Sequence, residues 1–164
     1  MAYDIRPIAE DHIAGFHAAL DYVAREKKYL AFLEAPPLDK TSAFIRNNIR
    51  EDYPQFVALA GGKVVGWCDV IPAKDRPIHA HTGVLGIGIL PEFRGKGMGR
   101  ALMTATIAKA RTKGLTRIEL TVRENNVNAI ALYKKIGFET EGIKKNAVRI
   151  DGVYENICVM GLLF

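Results

Sequence analysis

Apolar residues recur at every third or fourth position in four segments of the chain, which is the spacing of an amphipathic helix. These segments predict helices over residues 10–32, 38–52, 95–114 and 125–137. The residues expected on the apolar faces of the first three are Ile13, Phe16, Leu20 and Val23, then Phe44, Ile45 and Ile49, then Met98, Leu102, Ala105 and Ala108. The pair Pro36-Pro37 should end the first helix, because proline cannot donate the hydrogen bond that a helix needs.

Runs rich in β-branched residues lie between these segments and predict seven strands. The strands are expected at residues 3–8, 55–60, 63–72, 82–90 and 116–123, with two more in 138–163. Gly61-Gly62 and Asp151-Gly152 favour tight β-hairpins, because both central residues of the commonest hairpin turn need a positive φ. Residues 73–81 are predicted to form a loop.

The predicted element order is β-α-α-β-β-β-α-β-α-β-β. The strand–helix–strand unit in the middle implies a right-handed parallel crossover, whereas the hairpins on either side imply antiparallel pairing. We therefore expect an α/β fold with a mixed, mostly antiparallel central sheet and helices on its faces. A chain of 164 residues suits one domain, residues 1–164, with a single core.

The composition is that of a globular protein, with 49% hydrophobic and 25% charged residues. No apolar run approaches the roughly 20 residues of a membrane span, and the polar start "MAYDIRPIAEDH" does not resemble a signal peptide. Cys68 and Cys158 are isolated cysteines in apolar runs and are expected to be buried free thiols. These features predict a cytoplasmic protein with no membrane partner.

The net charge of +5 raises the possibility of a nucleic-acid partner. The cations are spread along the chain, however, and neither a zinc-finger spacing nor an aromatic-rich RNA-binding strand is present. No His, Cys, Asp or Glu cluster has the spacing of metal ligands. We therefore expect neither nucleic acid nor a metal.

The segment "ILPEFRGKGMGRALM" at residues 89–103 joins a strand-like run to a helix-like run and is rich in glycine and positive charge. A helix N-terminus offers unpaired N–H groups to an anion, and glycine lets a bulky anion approach the backbone. The segment therefore predicts a diphosphate site, whose alternative is a glycine-rich turn with scattered surface cations. The predicted site residues are Gly95, Gly97 and Gly99 in the turn and Arg94, Lys96 and Arg100 at its rim.

Two common phosphate motifs do not fit this segment. The third glycine of a Rossmann GxGxxG would fall on Arg100, and the lysine of a Walker A loop, Lys96, is followed by Gly97 instead of Ser or Thr. The pattern that fits is R-x-x-G-x-G, from Arg94 to Gly99.

In this pattern the sequence resembles the GNAT superfamily of acetyl-CoA-dependent N-acetyltransferases. The stretch "IGILPEFRGKGMG" has the family's strand, proline, aromatic residue and loop in order. The stretch "RENNVNAIALYKKIGFETEG" matches the family's N-x-x-A-x-x-L-Y-x-x-x-G-F segment. The matching residues are Asn126, Ala129, Leu132, Tyr133, Gly137 and Phe138. The resemblance covers essentially the whole chain; it is strong over residues 82–142 and weak over 10–80.

The resemblance implies how acetyl-CoA would bind. Two parallel central strands should splay apart and offer a free backbone edge, Ile87-Gly88-Ile89, to the pantetheine arm. The loop residues Arg94 to Arg100, Met98 among them, should bind the diphosphate. Asn126 should contact a pantetheine amide, although capping of its own helix explains this residue equally well. The strand glycines Gly83, Gly86 and Gly88 fit either a close approach by a ligand or packing under a large side chain.

The implied reaction is aminolysis of a thioester, which needs a proton donor for the leaving thiolate and an acceptor for the amine proton. Tyr133 lies where the family has the tyrosine that serves as the donor; an ordinary tyrosine at the edge of the core is the alternative. The base is open, because Thr121 stands where some relatives have a catalytic glutamate. Candidates are Glu34, Asp69, His79, His81 and Glu119. Asp69 is preferred, because a carboxylate in an apolar run is costly to bury unless it has a structural or functional partner.

The resemblance implies an N-acetyltransferase for a primary amine of a small molecule, such as an amino acid, a polyamine or an amine antibiotic. Acetylation of a protein N-terminus or lysine, and a non-catalytic acyl-CoA-binding module, are the alternatives. Segment 24–53 should shape the acceptor side, but its five acidic and six basic residues do not choose between the acceptors. The apolar run "YENICVMGLLF" needs to be covered, and with the resemblance it predicts a homodimer.

Overall fold

The computed structural model describes residues 2–164, and its helices and strands follow the predicted order. The helices are α1 Ile13–Arg25, α2 Leu38–Arg50, α3 Met98–Thr112 and α4 Val127–Ile136. The strands are β1 Asp4–Pro7, β2 Gln55–Ala60, β3 Lys63–Pro72, β4 Thr82–Ile89, β5 Arg117–Arg123, β6 Glu139–Ile150 and β7 Val153–Leu163.

The strands form one sheet in the order β1-β2-β3-β4-β5-β7-β6. β4 and β5 are parallel, and all other neighbours are antiparallel. The expected mixed, mostly antiparallel α/β sheet is therefore confirmed. Both predicted hairpin turns are also confirmed, with φ of 56° and 78° at Gly61 and Gly62 and of 50° and 81° at Asp151 and Gly152.

The parallel pair β4 and β5 stays together over only three residues of each strand. Thr82–Val84 pairs with Arg117–Glu119, after which β4 runs on to Ile89 and β5 to Arg123 without further pairing. Each strand keeps its other neighbour along its length, β3 for β4 and β7 for β5. The sheet thus contains the splayed pair that the resemblance implied.

Helices cover both faces of the sheet and bury two apolar clusters. One cluster lies under α1 and α2 and includes Phe16, Ile45 and Trp67. The larger one lies under α3 and α4 and includes Leu102 and Tyr133. The rings of Phe16 and Trp67 meet edge to face, with centroids 5.4 Å apart, which is a favourable aromatic geometry.

Two predicted helix faces are partly wrong. Of the three residues predicted for the apolar face of α2, only Ile45 is buried. Phe44 and Ile49 are exposed, because the polar residues Thr41 and Asn48 complete the buried face instead. In α3 Ala105 and Ala108 are not buried. The buried residues of α3 are Met98, Gly99, Leu102, Met103, Thr106, Ile107 and Ala110. Alanine is a weak indicator of the buried face of a helix, because its side chain is a single methyl group.

The first helix is shorter than the apolar spacing predicted. It ends at Arg25 instead of residue 32, and Lys27 takes a φ of 59°. The N–H groups of Glu26 and Lys27 donate to the carbonyls of Val23 and Ala24, which closes the last turn. Residues 26–37 then run as an irregular segment to α2, held by tertiary contacts that a local pattern does not reveal.

The C-terminal strand β7 is an inner strand. It lies between β5 and β6, and Cys158, Met160 and Gly161 are buried there. The apolar run is therefore covered within the chain, and the homodimer stays a prediction. Cys68 and Cys158 are buried free thiols, as expected. Within residues 2–164 no helix has both the length and the hydrophobicity to cross a membrane.

Two strand glycines are explained by packing. A methyl group at Gly88 would overlap the indole of Trp67, and one at Gly83 would overlap Val70. Of the two explanations left open for these glycines, packing under a large neighbour is the one that the structure supports. The absent side chain at position 88 leaves the room that the only tryptophan occupies.

Replacing Gly88 by alanine should destabilise the fold by about 1–3 kcal/mol, because the indole of Trp67 must move in a packed core. The matched control is Gly142→Ala in β6, where an added methyl group meets nothing within 4 Å. Urea unfolding followed by Trp67 fluorescence measures both variants. Equal stability of the two would contradict the packing explanation.

Candidate active site

The splay leaves a free backbone edge on β4. The Leu90 N–H donates to Val65 and the Ala73 N–H to the Thr82 carbonyl, each at 2.9 Å. Because residues of an antiparallel strand alternate in the side to which their backbone groups point, Gly88 bonds to β3. Ile87 and Ile89 therefore point their N–H and C=O groups into the gap beside β5. Within the predicted edge Ile87-Gly88-Ile89, the two isoleucines therefore point their backbone groups into the gap, and Gly88 does not.

The glycine-rich loop leads from the end of β4 to the N-terminus of α3. Gly95 and Gly97 have φ of 71° and 85°, and nothing lies within 4 Å of the side chains they lack. Gly95 and Gly97 therefore allow the positive φ angles of the turn and leave open space above it. The first amides of α3, at Met98, Gly99 and Arg100, have no partner within the helix and form the anion-binding end of a 15-residue helix.

Gly99 does not belong to the turn, contrary to the sequence prediction. It lies in the first turn of α3, and a methyl group there would come within 3.2 Å of Leu132 and 3.4 Å of Ile89. Gly99 therefore lets α3 pack closely against α4 and β4. Its contribution to an anion site is its backbone N–H group.

The guanidinium of Arg94 is turned away from the loop rim where the sequence placed it. Its Nε donates to the Ile89 carbonyl at 2.8 Å, and its Nη2 donates to Glu26 at 3.0 Å. The same guanidinium lies over the Tyr29 ring, 4.7 Å from the centroid. At the rim, the Lys96 ammonium donates to the Glu92 carbonyl at 2.7 Å. Arg100 is exposed, with no side-chain partner among residues 2–164.

Asn126 and Tyr133 are placed by α4. The Asn126 side-chain oxygen accepts from the Ala129 N–H at 3.3 Å, so this residue caps the helix and keeps its side-chain NH2 group for another partner. Tyr133 is buried, with its ring centroid 6.1 Å from that of Phe138. Burial, and to a lesser extent the neighbouring Cys68, raises the pKa of Tyr133 above its ordinary value. Its hydroxyl therefore keeps its proton and remains a donor.

Asp69 lies on β3 directly opposite Gly86, just beyond the point where β4 and β5 separate. One of its oxygens would lie 3.3 Å from a methyl group added at Gly86. The carboxyl is buried and has no hydrogen-bond partner among the described residues. Burial raises its pKa to about 7, so it ionises near neutral pH.

The other base candidates are less suitable. Glu34 is exposed and pairs with Arg25 at 3.2 Å, and Glu119 pairs with Arg117 at 3.0 Å. His79 and His81 are exposed in the loop before β4. Asp69 alone among the five candidates combines burial, a raised pKa and a place beside the splay.

Arg123 is a residue of the site that the sequence did not indicate. It ends β5, only 4% of its side chain is exposed, and its guanidinium donates to Glu155 at 2.9 Å. It also donates to the carbonyls of Leu30 at 3.0 Å and Lys27 at 3.4 Å. Arg94 and Arg123 thus hold the segment 26–30 from the ends of the two splayed strands. No sequence signal links residues so far apart along the chain.

A pocket of about 390 Å³ opens where this segment faces the start of α4, a size within the range of small-molecule sites. Its lining residues are Lys28, Tyr29, Asn125, Asn126, Val127, Asn128 and Glu155. Only Asn126 among them had been singled out from the sequence. Residues 2–164 contain no group of His, Cys, Asp and Glu side chains that could hold a metal ion.

Comparison with known proteins identifies one matching family and several similar relatives. Residues 13–138 match the sequence model of the Acetyltransferase (GNAT) family. The L-amino acid N-acetyltransferase AaaT of Escherichia coli is 37% identical over 64% of this chain and 65% of its own length. A [ribosomal protein bS18]-alanine N-acetyltransferase of Haemophilus influenzae is 32% identical over 71% of this chain and 76% of its own.

The chain spans less than two thirds of the length of some relatives. A mycothiol acetyltransferase of Saccharomonospora viridis is 40% identical over 49% of this chain but only 28% of its own length. Among solved structures, an acetyltransferase of the GNAT family from Streptococcus pneumoniae superposes with a TM-score of 0.91. The two sequences are 26% identical, and the alignment covers 99% of this chain and 100% of the Streptococcus pneumoniae chain.

Replacing Arg123 by methionine should lower the free energy of unfolding by about 3 kcal/mol, because the half-buried Glu155 and two carbonyls lose their donor. Adding Glu155→Gln should recover part of the loss by removing the unpaired charge. The control is Arg46→Met, which breaks an exposed pair with Glu10 and should change stability little. Urea titration compares the three, and equal effects of the two arginine variants would contradict an anchoring role.

Proposed function

The chain belongs to the GNAT family of acetyltransferases, and we propose that it transfers the acetyl group of acetyl-CoA to a primary amine of a small molecule. The observation that carries this proposal is the splay of β4 from β5, whose free backbone edge leads directly to the glycine loop and the N-terminus of α3. One extended ligand with a diphosphate at one end fits this arrangement.

The residues present fit acetyl-CoA along its length. The amides of the loop and of the first turn of α3 are suited to the diphosphate, since the space above Gly95 and Gly97 is open. Ile87 offers its N–H and C=O groups to the amides of the pantetheine arm, and Ile89 offers its N–H group, since its carbonyl accepts from Arg94. The free side-chain NH2 group of Asn126 is suited to a pantetheine carbonyl. Arg100 and Lys96 supply positive charge at the rim, whereas the guanidinium of Arg94 is held by Ile89 and Glu26.

Two side chains supply the proton transfers. Aminolysis forms a C–N bond between the acceptor and the acetyl carbon and breaks the C–S bond to the coenzyme. Tyr133, whose buried hydroxyl carries its proton at neutral pH, donates a proton to the departing sulfur. Asp69 takes the proton that the amine loses, directly or through a water molecule. N–H groups of the free β4 edge stabilise the negative charge on the carbonyl oxygen.

A small amine acceptor is the preferred substrate class. The pocket beside the splay has a volume of about 390 Å³, which suits a small molecule. The E. coli relative is named for L-amino acids, which fits such a pocket. The relative named for the alanine of a ribosomal protein keeps a protein N-terminus as the second candidate.

Screening acceptors with acetyl-CoA and measuring free thiol release tests the proposal. The panel contains the standard L-α-amino acids, polyamines, aminoglycosides and short peptides with free N-termini. Acetylation of small amines well above the peptides supports the proposal, and the reverse order favours a protein acceptor. Acetyl-CoA binding by calorimetry without any acetylated amine would indicate a non-catalytic binding module.

Replacing Tyr133 by phenylalanine should lower kcat by about a hundredfold or more while changing acetyl-CoA affinity little, because only the proton donor is removed. The matched control is Tyr154→Phe, an exposed tyrosine of β7. Single-turnover kinetics isolate the chemical step, and calorimetry gives the affinity. Wild-type single-turnover rates in the Tyr133 variant would exclude the acid role.

Asp69 predicts a pH dependence. As a base it must be ionised, so kcat/KM should rise as the pH passes through about 7, the pKa of the buried carboxyl. Asp69→Asn keeps the volume and removes the base, so this acidic limb should disappear together with most of the activity. A limb that persists unchanged in the variant would leave Asp69 a structural role only.

The same group should leave a mark on stability. An unfolded Asp69 ionises near pH 3.8, whereas the folded one ionises at about 7. Between these values the folded state binds more protons, so the contribution of Asp69 to stability falls as the pH rises through this window. Measured from pH 4 to 8, the unfolding free energy of the wild type should therefore fall relative to that of Asp69→Asn.

A further inference from the structure

The charges of segment 24–53, which do not choose an acceptor in the sequence, are mostly paired in the structure. Glu26 pairs with Arg94, Lys27 with Asp151, Arg25 with Asp21 and Glu34, Arg46 with Glu10, Arg50 with Glu51, and Asp52 with Lys109 and Lys113. Three charged residues have no ion pair within residues 2–164: Lys28, Asp39 and Lys40. Asp39 and Lys40 are exposed neighbours in the first turn of α2, away from the pocket. Lys28 lines the pocket.

The pocket therefore has a positive charge. Its one carboxylate, Glu155, is neutralised by Arg123 at 2.9 Å, whereas the ammonium of Lys28 has no acidic partner. The remaining polar side chains of the lining are uncharged amides and the hydroxyl of Tyr29. A polyamine or another purely cationic acceptor would be repelled here, and an anionic group would be attracted.

The backbone on the opposite wall also favours an anion. Asn126, Val127 and Asn128 line the pocket and form the N-terminus of the ten-residue helix α4. The side chain of Asn126 satisfies the N–H of Ala129, which leaves the N–H groups of Val127 and Asn128 without a partner in the helix. A helix N-terminus with free amides binds anions. Lys28 lines the same pocket as this end of α4.

Lys28 is presented by a fixed backbone. The carbonyls on either side of it, at Lys27 and Leu30, both accept hydrogen bonds from the buried guanidinium of Arg123. Tyr29 lies under the guanidinium of Arg94. Two residues at the ends of the splayed strands thus hold the lysine at the mouth of the proposed reaction site.

We propose that this pocket binds the carboxylate of the acceptor, so that the acceptor is an α-amino acid. The proposal rests on the proposed function and names its substrate class. Lys28 pairs with the carboxylate, and the amides of Val127 and Asn128 donate to it, which leaves the amino group of the same molecule to react. A phosphate of the coenzyme has the same anionic chemistry and is the other source that the experiment must distinguish.

The experiment compares each standard L-α-amino acid with its carboxamide, which keeps the amine and the side chain but lacks the negative charge. For the best amino acid, kcat/KM with the wild-type protein should exceed that of its carboxamide at least tenfold. Lys28→Met should reduce this ratio to near one, and Lys28→Arg should restore much of it. Lys40→Met removes a positive charge from the same segment outside the pocket and should leave the ratio unchanged.

Calorimetry with acetyl-CoA separates the two sources of the anion. Lys28→Met should change the dissociation constant of acetyl-CoA less than twofold. A tenfold weaker affinity with an unchanged amino acid to carboxamide ratio would assign the pocket to the coenzyme and overturn the proposal. Carboxamides and amines acetylated as well as amino acids by the wild type would also overturn it, while leaving the acetyltransferase function in place. If no amine caused thiol release, the result would contradict both the carboxylate site and the acetyltransferase function.

Discussion

β4 and β5 share backbone hydrogen bonds over three residues and then separate in the middle of the sheet. Unpaired backbone groups inside a protein are costly, so a sheet tolerates such a gap only where something else satisfies them. Arg94 satisfies the Ile89 carbonyl at the mouth of the gap. The groups of Ile87 stay free, at the level where β3 carries Cys68 opposite them. The gap that weakens the sheet is therefore also the place where an extended ligand with amide groups gains most from binding.

The two arginines at the ends of the splayed strands connect the gap to the rest of the molecule. Arg94 leaves β4 and Arg123 ends β5, and both reach the segment 26–30 between α1 and α2. A splayed pair would otherwise present two loose strand ends to solvent. Binding the same segment from both sides fixes the distance between these ends and positions Lys28 and Tyr29 over the mouth. Stability and the shape of the pocket beside this segment thus depend on the same contacts.

Local patterns predicted the order of the elements, both hairpin turns and the parallel crossover, because turn glycines and apolar spacing involve residues that are close together in the chain. The motif from Arg94 to Gly99 also located the loop, since a positive φ at Gly95 and Gly97 demands glycine. What could not be predicted depends on residues far apart in the chain. The end of α1 at Arg25 depends on contacts made by segment 26–30, and the direction of the Arg94 side chain depends on Glu26 and Tyr29.

Net charge illustrates the same limit at the level of function. Segment 24–53 has almost equal numbers of acidic and basic residues, so its composition attracts neither a cation nor an anion. Folding pairs most of these charges with partners elsewhere, and what a ligand meets is the remainder. Here the remainder at the pocket is one ammonium group opposite the free amides of a helix N-terminus. The charge that this pocket offers to a ligand is therefore set by which group the fold leaves unpaired. This property exists only once the distant partners Arg94, Asp151 and Arg123 have been brought into place.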